Sequence, residues 1–232
     1  MKNTDRTFVI GDIHGSGKAL TQCLSRSGFN YEKDLLISLG DLTDGWPDSY
    51  HVFEQLLKIK HVVLIKGNHD KWARHWMLTG EYDPNWYHQG GKNTINSYPD
   101  TIPDSHKNFY NTAKPYFLLD NAIFVHGGFD PDKDIHEQTE EIFLWDRSLV
   151  QLAKKLDSIN PETQLSPYKR IFLGHTPTLN FESDKPINYC NVTLMDTGAG
   201  WPGGRLSIMD IETGNVVQSD KSDDLYPGVS SR

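Results

Sequence analysis

Short runs of β-branched and other apolar residues recur in the first third of the chain, each followed by a polar loop and then by a helical pattern. The runs are TFVI (7–10), DLLISLG (34–40) and HVVLIKG (61–67), and glycine ends or follows each of them. Runs of this length between turn residues are typical of buried strands, and their alternation with helices is typical of βαβ units. The pattern therefore predicts a buried, largely parallel sheet.

The second half of the chain has a different pattern, in which strand-like runs follow one another with little helix between most of them. The runs are YFLLDNAIFVHGG (116–128), KRIFLGH (169–175), CNVTLMDTG (190–198), RLSIMDI (205–211) and GNVVQS (214–219). Closely spaced strands of this kind are typical of antiparallel pairing. We expect them to form a second, more antiparallel sheet, with DRSLVQLAKKL (146–156) as the main late helix.

The length of 232 residues favours one domain with a sizeable core, or one core with an inserted lobe. Residues 80–114 are rich in Tyr, Trp, Asn, Gly and Pro, and we interpret them as an accessory lobe of loops and short helices over a site. The polar residues 219–232 predict a frayed tail. We therefore expect a single domain over residues 1–232.

The net charge of −8 repels nucleic acids and anionic membranes, so neither is an expected partner. Phosphate binding would need positive charge that metal ions or a few arginines supply locally. Cys23 and Cys190 are the only cysteines, too few for a disulfide scaffold, and no apolar stretch approaches the ~20 residues of a membrane span. The N-terminus has no apolar signal region, so we expect a cytoplasmic location.

One event recurs five times along the chain: an apolar strand ends, and the next residues include metal ligands or proton carriers. The segments are GDIHG, GDLTDG, GNHD, VHGG and LGH, which contain Asp12, His14, Asp41, Asp44, Asn68, His69, Asp70, His126 and His175. Because ligands of open α/β sheets bind at the carboxyl ends of strands, we expect these segments to converge on one crevice. Oxygen and imidazole ligands without thiolates suit Mn²⁺, Fe²⁺ or Zn²⁺.

Six ligands are too many for one ordinary metal site, and they fit two metal ions that share one carboxylate. Such pairs lie ~3.5–4 Å apart and hold the attacking and leaving oxygens of a displacement at phosphorus. A hydroxide bridging the ions would be the nucleophile, and the leaving oxygen would still need a proton. His69, with Asp44 beside it, is the candidate general acid.

The stretch FVIGDIHGSGKAL (8–20) also contains GSGK, which suggests a phosphate-binding Walker loop. That loop requires glycine five residues before its last glycine and a hydroxyl residue after its lysine. Asp12 and Ala19 occupy these two positions. The Walker interpretation is therefore excluded, and the metal-site interpretation of this stretch is retained.

The ordered set GDIHG, GDLTDG, GNHD, HGG and GH resembles the phosphoprotein-phosphatase branch of the calcineurin-like metallophosphoesterases, whose usual pattern is GDxHG, GDxxDRG, GNH[ED], HGG and GH. The resemblance extends from Phe8 to Asp210. WYHQGGKNTINSY (86–98), LWDR (144–147) and MDTGAGWPGGRLSIMD (195–210) suggest the bacterial and phage subgroup of lambda phosphatase-like and diadenosine tetraphosphatase-like enzymes. The resemblance implies an α/β fold, a four-layer αββα sandwich of two mixed sheets flanked by helices.

The resemblance also implies a role for each matching residue. Asp12 and His14 would bind the first metal ion, and Asp41 would bridge both. Asn68, His126 and His175 would complete the ligand set of the second ion. His69 would be the general acid with Asp44 as its orienting partner, and Arg147 would hold the substrate phosphate together with Asn68.

The chain departs from the family pattern at one position, because Gly45 stands where GDxxDRG has its arginine. That arginine grips the substrate phosphate, and a hydrogen bond of this charged type contributes ~1.5–3 kcal/mol. Arg74 and Lys71 on the helix after GNHD are candidate replacements, and they fit a solvated helix face equally well.

An excess of aromatic residues surrounds these loops: Trp46, Trp72, Trp76, Trp86, Tyr87 and Tyr98. We interpret them as the packing of the accessory lobe, with a platform for an aromatic leaving group as the alternative.

We expect a cytoplasmic metal-dependent phosphoric-ester hydrolase, a protein serine/threonine phosphatase with possible dual specificity. Its cofactors would be two divalent ions, Mn²⁺ or else Fe or Zn, and its partner a phosphoprotein or small phosphoester, with no obligate partner protein. The alternatives are hydrolysis of a dinucleoside polyphosphate or another nucleotide phosphoanhydride, and a non-catalytic metal- or phosphate-binding module.

Overall fold

The computed structural model describes residues 4–98 and 100–231, which form ten strands in two five-stranded sheets and nine α-helices. The strands are β1 (Thr7–Ile10), β2 (Leu35–Ser38), β3 (His61–Leu64), β4 (Tyr116–Leu119), β5 (Ala122–Val125), β6 (Arg170–Leu173), β7 (Ile187–Tyr189), β8 (Val192–Leu194), β9 (Ser207–Asp210) and β10 (Val216–Gln218). The helices are α1 (Gly17–Arg26), α2 (Ser49–Leu56), α3 (Asn68–Thr79), α4 (Pro84–Trp86), α5 (Lys92–Asn96), α6 (Asp104–Tyr110), α7 (Glu140–Trp145), α8 (Ser148–Asp157) and α9 (Ser222–Leu225). None of the described helices is long and apolar enough to cross a membrane.

The first sheet has the strand order β10-β9-β1-β2-β3. Strands β1, β2 and β3 are parallel, as the first third of the sequence predicts. Strands β9 and β10 join this sheet in antiparallel orientation, with Val9 opposite Met209. The expectation that all late strands build the second sheet is therefore wrong for these two, because a local pattern does not specify which strand a run pairs with.

The second sheet has the strand order β4-β5-β6-β8-β7. Its three central strands are parallel, and β4 and β7 are antiparallel at its two edges, so it is more parallel than the sequence pattern predicts. Asp120 and Asn121 form the two-residue turn between β4 and β5, with φ of 46° and 62°. Two consecutive residues with positive φ are typical of the hairpin turns whose twist matches that of the two paired strands. Strand β7 is only three residues long and was not predicted.

Alternating side chains of the strands face opposite sides of each sheet, and the buried residues that the structure describes form three hydrophobic clusters. Val9 faces the space between the sheets, where it shares a cluster with Phe124 of the second sheet. Phe8 belongs to a second cluster with residues of α1, α2 and α3, such as Leu24. A third cluster joins the outer face of the second sheet to α8 through Val150. The four-layer αββα sandwich of two mixed sheets is thus confirmed.

The segment 80–114 lies against the helices of the first sheet. It contains α4, α5, α6 and a wide turn at Tyr87–Gly91 between α4 and α5. Trp86 and Tyr110 are buried in the same cluster as α2 and α3. Pro99 lies outside the described residues. The helices of this segment share the core of the first layer, so packing fixes the position of the segment against that layer.

The tail is packed, contrary to the frayed tail that the sequence predicts for 219–232. Tyr226 is buried, its ring stacks on Trp46 at 5.1 Å between centroids, and its hydroxyl donates to Asp48 Oδ2 at 2.6 Å. Lys18 Nζ donates to the carbonyl oxygen of Leu225 at 2.7 Å. One aromatic side chain thus anchors a segment whose average composition is polar. Arg232 lies outside the described residues.

Candidate dimetal centre

The six predicted metal ligands lie together at the carboxyl ends of strands from both sheets. They are Asp12 and His14 after β1, Asp41 after β2, Asn68 at the start of α3 after β3, His126 after β5 and His175 after β6. All six side chains are buried. Parallel strands bring their carboxyl ends to one sheet edge, and the two sheets face each other, so Asp12 and His175, 163 residues apart, reach one place.

The ligand atoms form two groups that share one carboxylate. Asp12, His14 and Asp41 make the first group, and Asp41, His126 and His175 make the second, with all atoms of a group within 4.8 Å of one another. Asp41 Oδ2 lies 3.6 Å from His14 Nε2 and 3.5 Å from His126 Nε2. This geometry suits two cations with Asp41 between them.

Backbone carbonyl oxygens hold Nδ1 of two histidine rings, so that Nε2 of each ring faces other predicted ligands. His14 Nδ1 lies 3.0 Å and 2.9 Å from the carbonyl oxygens of Thr43 and Asp44, and His126 Nδ1 lies 2.8 Å from that of Leu39. A carbonyl oxygen only accepts, so each Nδ1 carries the hydrogen. In a neutral ring the lone pair is then on Nε2, the arrangement that orients a metal-binding histidine. His126 Nε2 lies 2.9 Å from Asn68 Oδ1, which belongs to another of the six predicted ligands.

Two buried polar atoms of the site have no hydrogen-bond partner among the described residues, Asp12 Oδ1 and His175 Nε2. Burial raises the pKa of Asp12, and the nearby carboxylates of Asp196 and Asp41 raise it further. Burial, with His126 and Arg147 nearby, lowers the pKa of His175 to about 2, so its ring is neutral. Unpaired buried atoms are costly. A divalent cation would compensate both, and the residues present therefore fit a metal centre.

Backbone strain is concentrated in the same loops. His14, Asp41, Asp44 and His175 have φ of 48°, 49°, 71° and 62°. Non-glycine residues rarely adopt this left-handed conformation, which is typical of positions where the surroundings impose a functional geometry. The strand-end loops therefore turn sharply at the residues that point into the site.

Asp70 stabilises the loop that carries Asp41. Its carboxylate accepts hydrogen bonds from the backbone N–H groups of Asp41 (2.8 Å), Leu42 (2.9 Å) and Gly67 (3.0 Å). Tyr110 donates its hydroxyl to the same carboxylate at 3.0 Å. Burial is the largest effect on Asp70, and it raises the pKa of this carboxyl to about 7. The acidic residue that ends GNHD thus connects two of the site loops.

The predicted acid and its partner are in contact, with His69 Nδ1 2.9 Å from Asp44 Oδ2. Two residues of the segment 80–114 hold Asp44 in turn. Thr94 Oγ1 donates to Asp44 Oδ1 at 2.7 Å and accepts from the Asp44 N–H at 2.9 Å, and Trp86 Nε1 donates to Asp44 Oδ2. Asp44 is completely buried. The orientation of His69 therefore depends on residues that the five motifs do not include.

The backbone at Gly45 explains why no arginine stands there. Its φ is 152°, and a Cβ atom at this position would lie 2.8 Å from the carbonyl oxygen of His14. The wide turn of segment 80–114 also packs on it, because a Cβ at Gly90 would lie 2.6 Å from the Gly45 nitrogen. In this loop conformation a side chain at residue 45 would strain the backbone and crowd the His14 carbonyl.

A cavity of about 560 Å³ opens onto His69 and onto four of the six predicted ligands, His14, Asp41, Asn68 and His175. Arg147 lines this cavity, lies between α7 and α8, and is exposed. Gln89 of the wide turn also lines it, as do Asp196, Trp145 and Trp201. The volume is within the range of small-ligand sites, ~300–1,000 Å³.

Arg74 and Lys71 lie elsewhere, so neither is a replacement for the missing arginine in this structure. The Arg74 guanidinium donates to Asn111 Oδ1 at 2.7 Å and 3.1 Å, and Lys71 Nζ donates to Glu141. Both residues line a separate groove on the outer face of α3. Both residues lie in the first two turns of α3, close in sequence to Asn68, but their side chains contact Asn111 and Glu141 instead of the metal ligands.

Most of the aromatic excess is packing, as we expect from the sequence. Trp46, Trp76, Trp86 and Tyr98 are buried. The aromatic residues of the cavity are instead Trp145 and Trp201, which are 39% and 40% exposed. The sequence reasoning missed these two, together with Gln89 and Asp196. A signal was present, because all four lie in LWDR, WYHQGG and MDTGAGW, the segments that carry the family resemblance.

Comparisons with known proteins agree with this geometry. The sequence profile of the family described as calcineurin-like phosphoesterase matches residues 6–216. The chain is 25% identical over 224 residues to serine/threonine-protein phosphatase 1 of Salmonella typhimurium strain LT2, covering 91% of this chain and 94% of that protein. It is 24% identical over 274 residues to the symmetrical bis(5'-nucleosyl)-tetraphosphatase of Neisseria meningitidis serogroup A, with the same two coverages of 91% and 94%.

The fold is also similar to a solved structure with a provisional assignment as a diadenosine tetraphosphatase. The TM-score is 0.68 at 19% sequence identity, over 94% of each chain. The profile match covers nearly all of the sandwich and every one of the ligands above. The chain therefore belongs to the calcineurin-like phosphoesterase family, among relatives that are serine/threonine phosphatases and bis-nucleosyl tetraphosphatases.

Proposed function

We propose that this phosphoesterase is a dimetal-dependent phosphomonoesterase that acts on phosphoserine and phosphothreonine in proteins. The observation that carries the proposal is the pair of ligand groups that share Asp41, with the His69–Asp44 pair beside the same cavity. The full-length similarity to a serine/threonine phosphatase supports the substrate class. Mn²⁺ is the proposed ion, since the ligand atoms are carboxylate and amide oxygens and imidazole nitrogens without thiolates.

Each residue of the site has a role in this proposal. Two divalent ions, when bound, would lower the pKa of water and offset the charge of the phosphoryl oxygens. Arg147 and Asn68 bind the phosphate and orient it in the cavity. The reaction forms a bond from a water oxygen to phosphorus, releases one proton of that water to solvent, and breaks the bond from phosphorus to the leaving oxygen. His69 donates the proton that the leaving oxygen takes, while Asp44 holds its ring through Nδ1.

Assays with and without metal ions test the proposed function. The protein is treated with a chelator, dialysed, and assayed with phosphoserine, phosphothreonine and phosphotyrosine peptides after addition of Mn²⁺, Fe²⁺ or Zn²⁺. We expect no turnover without metal and turnover with Mn²⁺. A metal-loaded protein that hydrolyses none of these peptides would refute the phosphatase proposal, and one that binds metal without any hydrolysis would be a binding module.

Hydrolysis of a dinucleoside polyphosphate is the second candidate function, and the exposed rings of Trp145 and Trp201 favour it. Both line the cavity, and Trp145 lies 5.9 Å from His175 between ring centroids. A nucleobase can stack on such rings. The similarity to a symmetrical tetraphosphatase points the same way. Comparing kcat/KM for diadenosine tetraphosphate with that for the phosphopeptides decides between the two candidates.

Replacing Arg147 by alanine is expected to lower kcat/KM by about 10- to 100-fold, because a charged hydrogen bond to phosphate contributes ~1.5–3 kcal/mol. Arg147→Lys should recover only part of the loss, since an ammonium group cannot make the two parallel hydrogen bonds of a guanidinium. Steady-state kinetics on one phosphopeptide measure the effect. Lys155→Ala, on the exposed face of α8, is the matched control. Equal values for Arg147→Ala and Lys155→Ala would exclude Arg147 from the phosphate site.

Thr94→Val is expected to lower kcat about three- to tenfold with little change in KM, because it removes the hydroxyl that holds Asp44 and through it His69. Thr94→Ser should restore kcat. The loss should be larger for substrates with poor leaving groups, which a purely structural effect would not produce. Thr101→Val, an exposed residue of the same segment, is the control. A uniform loss across leaving groups would contradict the positioning role of Thr94.

A further inference from the structure

The loop at Gly45 lacks the arginine of the family pattern, and the structure places another polar side chain next to it. The turn Tyr87–Gly91 packs on this loop so closely that a Cβ at Gly90 would lie 2.6 Å from the Gly45 nitrogen and 2.7 Å from the Asp44 carbonyl carbon. Gln89 precedes Gly90, and its side chain lines the cavity that also contains Asn68 and His69. A glutamine from a different segment therefore lines the cavity close to the loop in which Gly45 stands in place of arginine.

The turn is held rigidly at both of its ends. Trp86, directly before it, is completely buried and donates its indole N–H to Asp44. Asn93, the second residue after it and part of α5, donates to the carbonyl oxygen of Gly45. Gly91 lies against the indole of Trp86, where a Cβ would approach within 2.6 Å. Gln89 is thus presented to the cavity by backbone that is fixed to the Asp44–Gly45 loop.

We propose that Gln89 is a substrate-binding residue, whose amide N–H donates to a phosphoryl oxygen in the place that the missing arginine would serve. The inference rests on the proposed function, because it requires a phosphoester in this cavity. The Gln89 side chain is half-buried and makes no hydrogen bond to another described residue, so its amide donors remain for a ligand. A neutral amide bound to an ionised phosphate is a charge-assisted hydrogen bond, though weaker than one from a guanidinium.

A neutral donor at this position also fits the charges of the site. Arg147 is the cationic residue that lines the cavity within the described part of the chain, and Asp196 adds a buried carboxylate. With one guanidinium, phosphate affinity should depend more on the remaining hydrogen bonds. Gln89 and Arg147 both line the cavity and come from different segments, the turn between α4 and α5 and the connection between α7 and α8. Together they would hold different oxygens of one phosphoryl group.

The test uses the Mn²⁺-loaded full chain and two variants. Gln89→Met keeps the length of the side chain and removes both amide donors, and Gln89→Arg supplies a guanidinium. For Gln89→Met we expect kcat/KM for p-nitrophenyl phosphate to fall about tenfold and the inhibition constant of inorganic phosphate to rise in proportion. For Gln89→Arg we expect phosphate inhibition at least as tight as in the unchanged protein. Metal content and thermal unfolding temperature should not change.

His88→Ala is the matched control, because His88 lies on the same turn, is exposed and lines a different cavity with Lys92 and Asn93. If Gln89→Met keeps the phosphate inhibition constant of the unchanged protein, Gln89 does not bind phosphate, although the enzyme is still a phosphatase. If the unchanged protein with two metal ions hydrolyses no phosphoester, the proposed function itself has failed. A loss of phosphate binding in His88→Ala equal to that in Gln89→Met would assign the effect to the turn and overturn the role of Gln89.

Discussion

Replacing Asp41 by asparagine is expected to lower kcat/KM by at least about a thousandfold and to reduce the bound metal from two ions to one or none. Asp41 is the residue common to both ligand groups, with Oδ2 3.6 Å and 3.5 Å from the Nε2 atoms of His14 and His126. An amide oxygen is uncharged, so neither ion would keep its shared anionic ligand. Several kcal/mol of transition-state stabilisation from the metal ions would be lost, and each ~1.4 kcal/mol is tenfold in rate.

Asparagine is the appropriate replacement because it can keep the structural bond of this side chain. Asp41 Oδ1 accepts the backbone N–H of His69 at 3.0 Å, and the amide oxygen of asparagine can accept it equally. Elemental analysis of protein purified with Mn²⁺, together with kinetics and thermal unfolding, measures the change. Asp104→Asn, whose side chain is 89% exposed, is the control. Two tightly bound ions and unchanged turnover in Asp41→Asn would refute a centre that shares this carboxylate.

Replacing His69 by asparagine should lower kcat by about 10²- to 10⁴-fold for substrates with poor leaving groups, the usual contribution of a general acid. Asparagine has no group that can hold and release a proton at the position of His69 Nε2. A leaving group that is stable as an anion needs no proton, so hydrolysis of 2,4-dinitrophenyl phosphate should fall much less. The slope of log kcat against leaving-group acidity should therefore become steeper in the variant.

His75→Asn is a matched control, because His75 lies on the same helix α3 and lines the outer groove with Arg74. It should keep the leaving-group dependence of the unchanged protein. An equal loss for good and poor leaving groups in His69→Asn would show that His69 binds the phosphate or supports the metal ligands and does not donate the proton. Metal analysis of the same sample separates these last two roles.

Much of this architecture could be predicted because it depends on local patterns. Buried parallel strands produce continuous apolar runs, and TFVI, DLLISLG and HVVLIKG correspond to β1, β2 and β3. The positions of the six ligands at strand ends follow from the same runs, since the carboxyl ends of parallel strands meet at one edge. The pairing partners of late strands could not be predicted in this way. Ser207–Asp210 joins β1 through contacts that form only when both segments are folded.

The errors in the candidate site have the same origin. Arg74 follows the GNHD motif by only four residues, but the direction of its side chain on α3 takes it to Asn111. Gln89 is 44 residues from Gly45, and the close packing of Gly90 brings it beside that loop. The polar tail likewise gives no local indication that Tyr226 stacks on Trp46, 180 positions earlier. Distance along the chain was a poor guide in all three cases.

The sequence by itself determined the chemistry of this protein: which strand ends carry carboxylates, imidazoles and an amide, and hence that the chain is equipped to hold two cations next to a proton donor. Residue type and strand pattern are local properties, so they can be read from the sequence. Only the tertiary structure decided how close the Asp41 carboxylate lies to both ligand groups, what holds Asp44 against His69, and which side chains face the cavity. These are properties of distance and direction between segments, which arise when two sheets and the segment 80–114 pack around one edge.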